Sequence, residues 1–306
     1  MKYDKVLVTG GWGFLGKRLQ KVKPYWDYVN SEDADLTNMD ACCDLLVRHR
    51  PDAVIHLAAR VGGIKENSEN PADFFLKNIT MNTNIVEACR KVGVKRLLSS
   101  LSTCAFPDVV RSYPFVEGDI LSGPPATTNL PYGFTKRALH VQTVAYRQQY
   151  GLNYSTFCPS NLYGPEDNYD LESSHFVAAI IRKLHEAEDG GGIEVWGTGR
   201  PLRQQLYIDD LAKIIPSLLV QHNSDAPMII APDENLSIGE LVKLAVDAAQ
   251  KDVTIEYTET LDGQYRKDGD NKLFFETFPG FQFTSFYDGV RKTYEWYDEN
   301  SIYYRN

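Results

Sequence analysis

Short apolar runs alternate along the chain with longer stretches of mixed polarity. Lys5 to Thr9 (KVLVT) predicts a buried strand, followed by a glycine turn and a helical stretch from Phe14 to Gln20. Further apolar runs at Tyr25 to Asn30, Ala53 to Ala58, Arg96 to Leu101 and Tyr154 to Cys158 predict strands. The segments between them, about Asn38 to His49, Ala72 to Val92 and Tyr132 to Tyr150, predict helices. Thr37 followed three residues later by Asp40 predicts a capping box for the second helix, and Asn70-Pro71 a proline in the first turn of the third. Strand and helix in regular alternation imply an α/β fold, a doubly wound parallel sheet of Rossmann type with helices on both faces.

Beyond Pro159 the pattern shortens. Helices are expected near Ser174 to Glu188, Asp209 to Val220 and Ser237 to Gln250, with a strand at Ile193 to Trp196 and an aromatic-rich final helix. This predicts a smaller α/β C-terminal lobe. The expected division is residues 1–160 as a dinucleotide-binding domain, to which later segments return, and residues 161–306 mainly as a substrate-binding lobe.

Charge narrows the possible partners. The 306 residues carry 32 basic and 41 acidic side chains, a formal net charge of −9. No clustered basic stretch offers a groove for a phosphate backbone, so a nucleic-acid partner is not expected. No run reaches the ~18 consecutive apolar residues of a membrane span, so no membrane partner is expected either. The cysteines Cys42, Cys43, Cys89, Cys104 and Cys158 are odd in number and contain no C-x-x-C pair. Reduced thiols in a cytoplasmic protein are expected, with neither a disulfide framework nor a metal site.

Candidate chemistry begins at the first turn. Gly10, Gly13 and Gly16 form G-x-x-G-x-x-G between a strand and a helix, where absent side chains let the backbone approach a pyrophosphate at the positive helix N-terminus. The other reading is a tight turn that packs helix on sheet. This spacing resembles the extended short-chain dehydrogenases, as do Asp35-Leu36 after the second strand and His56-Leu57-Ala58-Ala59 at the end of the third. Tyr132 and Lys136 form Y-x-x-x-K, an i, i+4 pair that shares one helix face. A neighbouring ammonium is expected to lower the phenol pKa from its reference near 10 and to hold the nicotinamide ribose. Ser102, at the end of the fourth strand, would hydrogen-bond a substrate carbonyl that Tyr132 protonates, or would simply cap the strand end.

The stretches His56 to Ile64 (HLAARVGGI), Asn70 to Asn78, Ser102 to Asp108 (STCAFPD), Pro131 to Lys136, Pro159 to Asn168 (PSNLYGPEDN), Val195 to Gln204 (VWGTGRPLRQ) and Asp262 to Lys267 (DGQYRK) make the likeness narrower. They resemble the GDP-L-fucose synthase family, NADPH-dependent epimerase-reductases acting on GDP-4-keto-6-deoxymannose. The 4-keto group acidifies the hydrogens on carbons 3 and 5, and inverting each centre needs a base on one face and an acid on the other. The resemblance gives these roles to Cys104 and His175, and the reduction to Ser102, Tyr132 and Lys136. Without it, Cys104 reads equally as a small buried hydrophobe and His175 as a helix cap.

The same resemblance implies a cofactor site for NADP(H) made of Gly10, Gly11, Trp12, Gly13, Phe14, Leu15, Gly16, Asp35, Leu36, Leu57, Ala58, Ala59, Ser100, Leu101, Ser102, Thr103, Tyr132, Lys136, Pro159, Ser160, Asn161, Leu162 and His175. Lys183, Trp196, Arg203 and Asp262 would surround the nucleotide sugar, with Lys183 and Arg203 meeting its diphosphate. A solvated helix face for Lys183 and core packing for Trp196 are the alternatives. The second strand ends on neutral Asn30-Ser31, which favours NADP over NAD, but no Arg stands there and Glu32 follows. Trp12 replaces a basic residue found in some members, and Glu166 a common His. A homodimer through Ala72 to Val92 and Tyr132 to Tyr150 is expected from the same likeness. Two other readings stand beside it: another nucleotide-sugar epimerase or 4,6-dehydratase, and a non-catalytic dinucleotide-binding protein.

Overall fold

A computed structural model describes residues 3–62, 69–258 and 262–304. Gly63 and Ile64, part of one stretch that carries the family likeness, lie outside the described residues. The first part runs β1 (Val6–Thr9), α1 (Phe14–Val22), β2 (Asp27–Val29), α2 (Met39–His49), β3 (Ala53–His56), α3 (Pro71–Val92), β4 (Arg96–Ser100), α4 (Leu130–Tyr150) and β5 (Asn153–Pro159). The remainder runs β6 (Asn161–Tyr163), α5 (Phe176–Glu186), β7 (Gly191–Val195), β8 (Leu202–Arg203), β9 (Gln205–Tyr207), α6 (Ile208–Gln221), β10 (Met228–Ile230), β11 (Leu236–Ser237), α7 (Ile238–Ala248), β12 (Val253–Tyr257), β13 (Arg266–Lys267), α8 (Lys272–Thr277) and α9 (Phe286–Asn300).

The central sheet has the order β10-β5-β4-β3-β1-β2, and every pairing in it is parallel. Strands covered by helices on both faces must be apolar throughout, and β1 and β3 are buried along their whole length. One face packs Leu7, Val54 and Leu97 with Leu45, Val86 and Leu139; the other packs Val8, Ile55 and Leu98 with Leu19, Leu211 and Ile215. A third cluster, including Tyr163, Ile181, Val195, Leu241 and Val290, forms the core of the C-terminal segments. The order in which successive strands are added to the sheet reverses between β1 and β3, and open α/β sheets bind ligands at the carboxyl ends of strands at such a point.

Several element ends differ from the sequence expectation. The predicted Thr37–Asp40 capping box does not form. Asp35 Oδ1 takes both the Thr37 amide, at 2.9 Å, and its hydroxyl, at 2.7 Å, in a local turn. Asn38 is therefore the cap, accepting the Ala41 amide at 3.1 Å. Tyr25 is 95% exposed and lies outside β2, which is only three residues long. The segment Met228–Ile230 carries no strong pattern of its own, yet it completes the sheet as β10 beside β5. Buried Arg96 ties that edge together by donating to the Leu219 and His222 carbonyls at 2.8 and 2.9 Å and to Ser155 Oγ at 2.7 Å.

Candidate active site

The glycine turn sits at the reversal point. Gly10 has φ +70°, and a Cβ there would stand 2.7 Å from the Ala58 amide nitrogen. A Cβ on Gly16 would meet the Gly11 carbonyl oxygen at 2.3 Å, so α1 packs against the turn more closely than any side chain allows. Gly13 is the N-cap of α1 and brings no side chain to its first-turn amides, which leaves them for an anion. Trp12 projects from the turn and is 56% exposed, while Leu15 is buried and Phe14 packs on the sheet.

The other predicted cofactor residues lie along neighbouring strand ends. Leu57, Ala58 and Ala59 follow β3, with the Leu57 amide bonded to the Thr9 carbonyl at 3.1 Å. Ser100 ends β4, Leu101 is buried, and Thr103 is buried in the next turn. Pro159 ends β5, Leu162 lies on β6, and the Asn161 side chain donates to the Gln204 carbonyl at 3.1 Å. The Ser160 amide bonds Ile230, but its buried hydroxyl has no partner among the described residues. An amide-lined glycine cradle and an unpartnered hydroxyl at the strand ends both fit a dinucleotide. Asp35 and Leu36 are already engaged within the protein, Asp35 by Thr37 and the Leu36 carbonyl by Asn84. The loop after β2 carries Glu32, Asp33 and Asp35 and no basic residue between positions 30 and 35.

Ser102, Tyr132 and Lys136 converge. Ser102 caps the short 3₁₀ turn Thr103–Ala105, its Oγ accepting the Cys104 amide at 3.2 Å. Lys136 is buried, donates from Nζ to the Ser100 carbonyl at 2.9 Å, and lies 5.9 Å from the Tyr132 ring centroid. The expected lowering of the Tyr132 pKa is not what the structure shows. Burial, with Cys104 and Cys158 nearby, raises the phenol above its ordinary value, against a smaller opposing hydrogen bond with Ser102. Burial likewise lowers Lys136 to about 8. Both groups drift toward their neutral forms because burial penalises the charged form of each.

Cys104 has the opposite balance. Its Sγ accepts from Lys267 Nζ at 3.0 Å and from Asn129 Nδ2 at 3.0 Å. Burial pushes the thiol up, but the Lys267 charge, hydrogen bonds from Ser102 and Lys267, and the Arg203 charge outweigh it, so the pKa falls below its ordinary value. His175 occupies the N-cap of α5, but its ring caps nothing. It keeps an exposed face, and partial desolvation together with Lys267 lowers its imidazole pKa. Lys267 and Asn129 were not identified as partners of the thiol by sequence reasoning. Lys267 is 163 residues from Cys104, and no spacing rule connects them.

Of the remaining predicted residues, Lys183 and Trp196 meet, while Asp262 and Arg203 act on each other only through their charges. Lys183 donates to the Glu194 carbonyl at 2.7 Å and stands 5.6 Å from the Trp196 ring centroid, so it is not merely solvated. Trp196 is 57% exposed and is not a core residue. Asp262 accepts from the Thr198 amide at 2.8 Å and hydroxyl at 2.6 Å. Arg203 is half-buried, with Cys104 and Asp262 among the groups acting on its charge.

The NAD dependent epimerase/dehydratase family is matched over residues 6–231, and the chain belongs to it. Within that family, the chain is 36% identical to the probable GDP-L-fucose synthase of Drosophila melanogaster, over 97% of this chain and 98% of that protein. It is 34% identical to the GDP-L-fucose synthase of Dictyostelium discoideum, over 96% and 95% of the two chains. A crystal structure of a GDP-L-fucose synthetase from Naegleria fowleri bound to NADP superimposes with a TM-score of 0.90 at 34% identity, covering 99% of this chain and 95% of that one.

Proposed function

We propose that this protein is a GDP-L-fucose synthase, which epimerises GDP-4-keto-6-deoxymannose at carbons 3 and 5 and then reduces carbon 4 with NADPH. The observation that carries the reading is a thiol held by two donors beside a Ser-Tyr-Lys group. Epimerisation and reduction of one keto-sugar need those two sets side by side.

Cys104, favoured as thiolate, removes the proton from the carbon next to the carbonyl, and His175 delivers one to the opposite face. The hydroxyls of Ser102 and Tyr132 then face the 4-keto oxygen. Because burial keeps the Tyr132 phenol protonated, it serves as the acid that reduction requires. Gly10–Gly16 with the strand-end residues 57–59, 100–103 and 159–162, and with Asp35, Leu36, Lys136 and His175 beside them, would hold NADPH, which would supply the hydride when bound. Arg203 and Lys183 meet the diphosphate, Trp196 offers an aromatic face, and Asp262 closes the sugar end.

Residues 1–160, with later segments returning, serve as the dinucleotide domain, and 161–306 mainly as the nucleotide-sugar lobe. Among the described residues no helix is long and apolar enough to cross a membrane, and the cysteines are free thiols, which supports a cytoplasmic setting. Exposed Phe134 and Val141 on α4 and Phe75 and Leu76 on α3 support pairing of two copies through these helices.

Purified protein mixed with GDP-4-keto-6-deoxymannose should oxidise one NADPH per sugar and yield GDP-L-fucose by NMR. Turnover of sugar without net NADPH loss would instead make it an internal-redox epimerase.

A further inference from the structure

Resting on that reading, we propose that Lys267 is the positioning residue that holds the Cys104 sulfur as a thiolate, so that the epimerisation base is assembled only where the C-terminal segment meets the sheet. The contact is built rather than incidental. β13 runs parallel to β8 with Lys267 level with Arg203, which brings both cations to the same side of the sulfur. Arg266 is fixed by two bonds to Asp268, at 2.6 and 2.9 Å, and lies 4.9 Å from the Tyr113 ring centroid. Tyr113 donates to the Arg266 carbonyl at 3.0 Å, Gln264 to the Asp108 carbonyl at 2.8 Å, and the Phe115 amide to the Asp268 carbonyl at 2.9 Å. The segment carrying Lys267 is therefore stitched to the loop that follows the Cys104 turn. Asn129, from the turn before α4, supplies the second donor from another direction.

The titratable and charged groups facing the sulfur are Lys267 from β13, Arg203 from β8, Tyr132 from α4 and Cys158 from β5. Tyr132 and Cys158 are raised by burial and stay neutral, so the two cations set the sign of the local field. Lys267 also acts on His175, lowering it. One ammonium thus acts on both proton carriers, stabilising the anionic form of the base and making the imidazolium of its partner a stronger proton donor. Removing it should move both titrations toward higher pH.

The test needs no sugar in its first arm. Alkylation of Cys104 by iodoacetamide, followed peptide by peptide with mass spectrometry across pH, reads the thiolate directly in the free enzyme. Lys267→Met and Lys267→Gln should each slow alkylation of Cys104 at pH 7 at least tenfold and move its midpoint to higher pH, while Lys267→Arg keeps the wild-type profile. An unmoved midpoint in both neutral variants would overturn the proposal.

The second arm measures solvent deuterium exchange into the keto-sugar. Both limbs of its pH profile should shift upward in Lys267→Met, whereas a purely structural role would lower the height and leave the limbs in place. If the alkylation midpoint shifts and no keto-sugar exchanges, the inference about Lys267 stands and the proposed substrate is wrong.

Discussion

Lys136 Nζ donates to the carbonyl of Ser100 at 2.9 Å, and this bond anchors α4 to the end of β4. Its neighbour Tyr132 is left as a protonated phenol in a desolvated position, suited to giving a proton rather than taking one. The Cys104 thiol is biased the other way, Lys267 and Arg203 outweighing its burial, so the two groups are set apart by their surroundings.

Tyr132→Phe should lower reduction by about 10²- to 10⁴-fold, the usual worth of a positioned general acid. Solvent deuterium exchange at carbons 3 and 5 should persist, because the proposed epimerisation uses Cys104 and His175. Loss of exchange together with reduction would show that Tyr132 serves both halves.

The adenosine end invites a charge reversal. Glu32 follows β2, where an acidic group opposes a 2′-phosphate. Glu32→Lys should tighten NADPH about tenfold, or roughly 1.4 kcal/mol, and leave NADH nearly unchanged. Tryptophan fluorescence titration, with Trp12 exposed in the glycine turn, reads both affinities. Equal effects on the two cofactors would place Glu32 away from the ribose.

Acidification should destabilise the fold before ordinary carboxylates titrate. Burial, aided by Lys136, lowers His56 to about 3, and burial, aided by Arg96, lowers His222 to about 4. A depressed histidine contributes stability that is complete above its unfolded pKa near 6.5 and is lost as pH falls toward the folded value. Each loses about 2 kcal/mol by pH 5. Asp167, raised by burial to about 7, works in the opposite sense and returns about 2.5 kcal/mol over the same window. The urea midpoint should therefore fall modestly from pH 7.5 to 5.0 in the wild type and steeply in Asp167→Asn. A flat profile in that variant would mean that the histidines do not stay neutral inside.

Pairing through α3 and α4 can be checked by charge. Val141 and Phe134 are exposed seven residues apart on one face of α4, beside a groove that also contains Leu121, Ala138 and Tyr146. Val141→Glu should convert a dimer to a monomer in light scattering without lowering the unfolding free energy of the isolated chain by more than about 0.5 kcal/mol, as befits a surface change. A wild-type protein of strictly monomeric mass would remove the basis for the pairing.

Much of the molecule was written in local sequence. The apolar runs of β1, β3 and β4, the glycines at 10, 13 and 16, and the i, i+4 spacing of Tyr132 and Lys136 each need only a few neighbouring residues to be recognised. Backbone sterics and helix periodicity act over that range. The sequence by itself therefore determined the parallel sheet and the glycine turn, and it placed Tyr132 and Lys136 on one helix face. It missed β10, whose three residues become a strand only because β5 offers an open edge. It misplaced the α2 cap by one residue because Asp35 competes for Thr37.

Tertiary structure alone decided the protonation of the site. Whether a phenol rises or a thiol falls depends on how much solvent is excluded and which charges are carried in from distant strands. Lys267 reaches Cys104 across 163 residues of chain. Desolvation and Coulomb energy follow distance in space, and only packing sets that distance.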